Sequence, residues 1–192
     1  MMQRRQLLQA AAGGVLAASL GVGRAARPLA AGRVVIVGGG MAGNTLARFL
    51  KLWGRSQVDV TLVDRAPTYV SNIMSSLVLT GQRSVPGLTY GRNALAALGV
   101  RLVVDEVLAV DPVAARVTLA GGGTLEADRV VLAPGIAFEG PPGYDDQRMP
   151  HAWQAGPQTT LLAQQLAALP PGGTVVLTIP PTPYRCPPGP YE

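Results

Sequence analysis

The stretch "RVVIVGGGMAGNTLARFLKLWG", residues 33–54, limits the fold more than any other part of this chain. Val34 to Val37 is a continuous β-branched apolar run, which predicts a strand buried on both faces of a parallel sheet. Gly38, Gly40 and Gly43 follow at once in G-x-G-x-x-G spacing. Leu46, Phe49, Leu50 and Trp53 then fall at helical spacing. Each glycine has a separate reason. Gly38 permits a tight strand-to-helix turn, Gly40 lets a pyrophosphate approach the backbone, and Gly43 lets the helix lie close to the sheet. The helix start, at Met41 and Ala42, offers free amides and a positive dipole end to phosphates.

The next strand, "VDVTLVD", ends at Asp64, 21 residues after Gly43. A carboxylate there can accept hydrogen bonds from ribose hydroxyls and disfavours a 2′-phosphate, hence NADP. Arg65, beside it, joins the expected cofactor-contacting set.

"ARVTLAGGGTLEADRVVLAPG" reads as two short strands around the Gly121–Gly123 turn, then a buried strand from Val130 to Leu132 ending in Ala133-Pro134-Gly135. Physical reasoning alone gives a small-residue corner where a ligand can cross. The layout of a β-meander followed by a strand ending in A-x-G resembles the large flavin-binding disulfide-oxidoreductase group. That resemblance selects FAD over NAD, and adds Val107, Ala133, Pro134 and Gly135 to the expected cofactor contacts. In the same group the segment matching "APTYVSNIMSSLVLTG" passes near the isoalloxazine ring. Read from its residues, that segment is a core helix with Ile73, Met74, Leu77 and Val78 on one face; the two readings are compatible.

With 48% hydrophobic and 14% charged residues the chain reads as globular. Its net charge of +5 owes much to Arg4, Arg5, Arg24 and Arg27. The body without them is nearly neutral, so nucleic acid is not an expected partner. Residues 1–31 read as an export signal. Arg4-Arg5 precedes a mild apolar run from Leu7 to Val22, then small residues. The arginine pair fits the twin-arginine route and a periplasmic destination. The apolar run is shorter and weaker than a membrane span, which takes about 20 residues, so no stable membrane anchor is expected.

"QTTLLAQQLAAL", residues 158–169, predicts a helix with Pro157 at a permitted first position. "TVVLTI", residues 174–179, predicts a fresh buried strand opening a second nucleotide-type unit. Where that unit's glycine fingerprint is due, the chain reads "PPTPYRCPPGPYE". Prolines lack amides and cannot cradle phosphates, so this unit is unsuited to NAD(P)H. His151, the only histidine, is expected to serve the loop's structure more than acid–base chemistry. No ligand spacing supports a metal site. The single cysteine, Cys186, excludes a disulfide framework and a CxxC metal site within these 192 residues.

"RVVIVGGGMAG", "ADRVVLAPGI", "PHAWQAGPQT" and "RCPPGPYE" resemble the flavoprotein subunit of flavocytochrome c sulfide dehydrogenases, and more distantly the sulfide:quinone oxidoreductases. The resemblance implies an exported FAD enzyme in which Cys186 is catalytic. A cysteine at that position pairs with another, much later in the chain, as a redox disulfide that sulfide attacks. Electrons then pass through the flavin to a haem-bearing cytochrome c subunit. Arg185 is placed to favour the reactive thiolate, and the dense prolines to hold it in one place. Some members tether FAD through a cysteine in the segment that contains Asn72. With no cysteine there, non-covalent FAD is expected.

The sequence thus predicts an α/β chain in three parts. Residues 1–31 are a signal, 32–157 an FAD-binding Rossmann-type parallel sheet with a β-meander, and 158–192 the start of a second, incomplete α/β unit. A quinone-linked relative and a non-catalytic nucleotide-binding remnant stay open as alternatives.

Overall fold

The computed structural model describes residues 32–140 and 142–178. The central sheet is parallel and four-stranded, in spatial order β5-β2-β1-β9. It is built from β1 (Gly32–Val37), β2 (Val58–Asp64), β5 (Arg101–Val104) and β9 (Arg129–Leu132). Helix α1 (Met41–Gly54) crosses from β1 to β2. A two-stranded antiparallel ribbon, β3 (Tyr69–Val70) with β4 (Thr89–Tyr90), carries the short helix α2 (Ser76–Leu79) between its strands. Helix α3 (Asn93–Ala97) leads into β5. The meander is β6 (Val107–Asp111), β7 (Arg116–Leu119) and β8 (Thr124–Glu126). Helix α4 (Pro157–Ala167) closes the described elements and packs against α2.

The β-branched run of β1 occupies the middle of a three-layer sandwich because its alternate side chains serve two cores. Ile36 and Val34 join Ala47, Val60, Leu62, Leu95 and Val100 under α1 and α3. Val35 and Val37 join Val63, Val117, Leu119 and Ala127 under the meander. Ile36 and Val117 are fully buried. The strand ending at the Ala133-Pro134-Gly135 corner lies beside the first strand: Val35 pairs with Val130 and Val37 with Leu132, in parallel.

Helix α1 buries part of the face that hydrophobic spacing suggests: Leu46 and Leu50 pack half-buried against the core, while its buried positions are Gly43, Ala47 and Lys51. Small residues let the helix settle close to the sheet. Trp53, 77% exposed, and Phe49 lie against each other outside as a tilted pair, with ring centroids 4.9 Å apart. Lys51 lies along the core edge with its stem packed, and its Nζ donates to the carbonyls of Arg55 at 3.0 Å and Val58 at 2.9 Å. It thereby satisfies carbonyls at the end of the helix and the start of β2.

Two expectations are corrected. The segment 69–80 is not a continuous core helix: only α2 is helical, and Ile73 and Met74 are exposed while Val78 is buried. Met74 has φ +62°, outside helical geometry. The strand expected over 174–179 is absent over its described part. Residues 173–178 have no regular structure, and Val175, Val176 and Leu177 are exposed. A parallel strand needs a sheet edge to pair with and a cover for its faces, and no described element supplies either one. Helix α4 does begin at Pro157, whose missing N–H is harmless at a first helical position. Cys186 and Arg185 lie outside the described residues.

Candidate functional site

Three chain segments meet at the C-terminal ends of β1, β2 and β9, where open α/β sheets bind ligands. The first is the glycine turn. Gly38 has φ +101°, and a Cβ on it would lie 2.1 Å from the Ala133 carbonyl oxygen. The corner Ala133-Pro134-Gly135 therefore sits directly against the turn. Ala133 donates its amide to the Val37 carbonyl at 2.8 Å, which fixes that approach. Gly43 packs as closely from the helix side: its Cβ would lie 1.8 Å from the Gly38 oxygen.

Gly40 differs from both. A Cβ there would meet nothing within 4 Å. Gly40 is also the N-cap of α1, with no side-chain capping bond and no acidic residue in the first turn. Helix geometry leaves the amides of Met41, Ala42 and Gly43 without intrahelical partners. Exposed Met41 and Ala42 thus border an uncapped, electropositive helix end that faces free space. That arrangement fits the pyrophosphate of a dinucleotide.

Asp64 ends β2 and reaches back to the turn. Its Oδ2 accepts the Gly39 amide and its Oδ1 accepts the Ala66 amide at 2.7 Å. Oδ2 also lies 3.4 Å from Nη2 of Arg92, whose side chain is only 6% exposed. Arg92 donates to the carbonyls of Gly39 and Ala66 and to the Asn44 side chain. Asn44 in turn donates to the Gly39 carbonyl at 2.7 Å. Asp64 is therefore a brace of the loop, still 22% exposed towards the crevice. Sequence reading placed Asp64 but missed Arg92 and Asn44. Arg92 follows a short strand 28 residues later, and nothing in local spacing marks it.

The other expected contacts distribute as follows. Arg65 points outward and pairs loosely with Glu106 at 3.9 Å, both side chains being exposed. Val107 packs into the meander core, at the strand that follows β5. Asn72 is exposed in the loop after β3, its carbonyl accepting from Ser75, and no hydrogen bond among the described residues joins it to the glycine turn. Among the described residues no cluster of three His, Cys, Asp or Glu side chains is placed to hold a metal ion.

His151 lies in the loop before α4, stacked on Phe138 with ring centroids 4.1 Å apart. Its amide reaches the Gln158 side chain at 3.3 Å, and its Nδ1 is buried without a partner. Burial pushes its pKa below the usual histidine value. A histidine depressed in the folded state binds its proton more readily when unfolded. Its contribution is complete above about pH 6.5 and is lost as pH falls from there through the lower folded pKa. His151→Phe, which keeps the stack, is expected to flatten the loss of melting temperature on acidification through that window.

Comparison with known proteins gives this geometry a family. Residues 32–163 match the pyridine nucleotide-disulphide oxidoreductase family. The chain belongs to that family. Its sheet, turn and meander are the family's FAD-binding Rossmann-like fold, and membership implies a flavin cofactor. Residues 159–192 match the central region of the sulfide dehydrogenase (flavocytochrome c) flavoprotein chain. Among solved structures, the sulfide:quinone oxidoreductase of Aquifex aeolicus is similar at TM-score 0.59 and 21% identity, over 70% of this chain and 31% of that one. The water-forming NADH oxidase of Lactobacillus brevis gives 0.51 and 26%, over 60% and 28%. Putidaredoxin reductase in its putidaredoxin complex gives 0.50 and 30%, over 59% and 28%. The chain spans about a third of the length of these relatives.

Proposed function

We propose that this chain is the FAD-holding portion of an exported sulfide dehydrogenase of the flavocytochrome c type. One observation carries the reading: the stretch that continues from the dinucleotide-binding fold, residues 159–192, matches the flavocytochrome c flavoprotein family and contains Cys186. The amides of Gly40, Met41 and Ala42 would hold the FAD pyrophosphate. The Asp64 edge would face the adenosine ribose, and Ala133-Pro134-Gly135 would line the crossing point. The flavin, when bound, supplies the conversion of a two-electron donor into one-electron steps. Sulfide is the donor in this reading, and a haem-bearing cytochrome c subunit is the acceptor. Cys186 is the nucleophilic thiol side of the redox pair. Residues 1–31 direct the folded protein to the periplasm by the twin-arginine route.

FAD is non-covalent in this reading, because position 72 is Asn and the only cysteine lies at 186. The purified chain is expected to show flavin absorbance that acid precipitation releases completely into the supernatant. Absorbance that stays with the pellet defeats the non-covalent assignment, and a chain that binds no added FAD defeats the flavoprotein reading itself. A quinone-linked enzyme is the alternative; with the Aquifex aeolicus sulfide:quinone oxidoreductase this chain shares the fold. Among the described residues no helix is long and apolar enough to cross a membrane. The acceptor separates the two readings: sulfide-dependent reduction of cytochrome c and not of a soluble quinone, by the longest chain that carries this sequence, supports the cytochrome form.

A further inference from the structure

The buried Arg92 guanidinium sits behind the glycine turn, and this inference rests on the dinucleotide site proposed above. Gly39 is fixed at both ends. Its amide is held by Asp64, and its carbonyl accepts from Arg92 Nη2 at 2.9 Å and from Asn44 Nδ2 at 2.7 Å. Gly38 is fixed too, its amide donating to the Val63 carbonyl at 2.8 Å. The next peptide unit is the decisive one. It joins the Gly39 carbonyl to the Gly40 amide, and a trans peptide points those two groups in opposite directions. With the carbonyl turned inward to Arg92, the Gly40 amide turns outward. It faces the space where a Cβ on Gly40 would meet nothing within 4 Å.

Glycines on both sides of that peptide leave it free to flip at little steric cost. Flipped, it would present a carbonyl oxygen to an anion. Arg92 prevents this by three features. Its fork engages Gly39 and Ala66 together, its Nε engages Asn44 on α1, and its charge is matched by Asp64 at 3.4 Å. The guanidinium is 6% exposed, so it acts through the backbone and not by touching the ligand.

We infer that Arg92 is a positioning residue for the dinucleotide pyrophosphate: it locks the Gly39–Gly40 peptide with the amide outward and ties that peptide to Asp64. Spectator packing and positioning give different results in binding measurements on the full chain. Apo-protein is titrated with FAD, followed by flavin fluorescence, and with ADP, which reports the pyrophosphate and ribose end alone. Arg92→Met is expected to weaken both ligands about 10- to 100-fold, the value of one or two hydrogen bonds to a charged group. Asp64→Asn combined with Arg92→Met should weaken binding little beyond Arg92→Met alone, since the two act as one unit. A merely structural Arg92 would lower the melting temperature and leave the affinity of the folded chain unchanged, which overturns the inference. Should Arg92→Met not fold, Arg92→Lys keeps the charge and loses the fork. About tenfold weaker ADP binding then supports the inference, and parental affinity overturns it. A parent chain that binds neither ligand removes the dinucleotide site along with this role for Arg92. A parent that binds both, beside a variant that binds equally well, removes the role alone.

Discussion

Alanine at Gly40 is expected to give a folded chain that binds FAD more weakly, while alanine at Gly43 is expected to remove a large part of the chain's stability. The same added methyl group meets opposite surroundings. At Gly40 it enters open space, and the backbone there, with φ −77°, suits any L-residue. The loss of a glycine N-cap costs less than about 1 kcal/mol. The methyl then occupies the approach path of the pyrophosphate. Overpacking of about 1–3 kcal/mol at that contact weakens FAD about 10- to 100-fold. At Gly43 the methyl would lie 1.8 Å from the Gly38 oxygen and 3.4 Å from Ile36 Cγ2. Backbone stands on one side and a fully buried side chain on the other, so neither yields cheaply. A cost of at least about 3 kcal/mol follows, against a typical total of about 5–15 kcal/mol. Urea unfolding and FAD titration of the two variants separate the effects. A Gly40→Ala chain that binds FAD as the parent does would remove the pyrophosphate from this turn.

The second large effect belongs to Asp64. Asp64→Ala is expected to destabilise the chain even with no ligand present, by about 3 kcal/mol. Removing one partner of a buried ion pair leaves the other charge uncompensated, which costs about 3–5 kcal/mol. The low end applies because Asp64 is itself 22% exposed. The Gly39 amide loses its acceptor in the same step. Asp64→Asn keeps an acceptor oxygen of the same shape and is expected to recover part of the loss. Chemical unfolding of the apo-chain is the measurement. Were Asp64 only a ribose acceptor, apo stability would not move and FAD affinity alone would fall.

How much of this was legible in the sequence depends on where each constraint originates. The strand, turn and helix of residues 32–54 were readable because glycine geometry is a local backbone rule: Gly38 obeys it through its φ of +101° and Gly43 through its contact with Gly38. The two strands around the Gly121–Gly123 turn and the buried strand after them were readable locally, from turn glycines flanked by alternating apolar residues; their layout as a meander came from the resemblance. The inward face of α1 was only half legible. Hydrophobic spacing nominated Leu46, Phe49, Leu50 and Trp53, of which Leu46 and Leu50 do pack on the core; close approach to a sheet selects for small residues, so Gly43, Ala47 and the stem of Lys51 take the centre of that face, and Phe49 and Trp53 stay outside. The segment 69–80 misled because four apolar residues fall on one helical face, and the structure makes it one strand of a ribbon followed by a single helical turn. Arg92 was invisible because its meaning arises only when a residue 28 positions from Asp64 folds back beneath the turn. For a long basic side chain, burial depends on tertiary partners and not on its neighbours in sequence.

The middle strand of the sandwich has a consequence for variation far from the ligand. Each step along β1 alternates between the helical core and the meander core, and the strand then runs straight into the cofactor loop. The loop is therefore cantilevered from a beam wedged between two independent supports. A truncation at Val117 slackens one support from the side opposite to the helices. It reaches the glycine turn through Val35 and Val37 without any contact to the nucleotide.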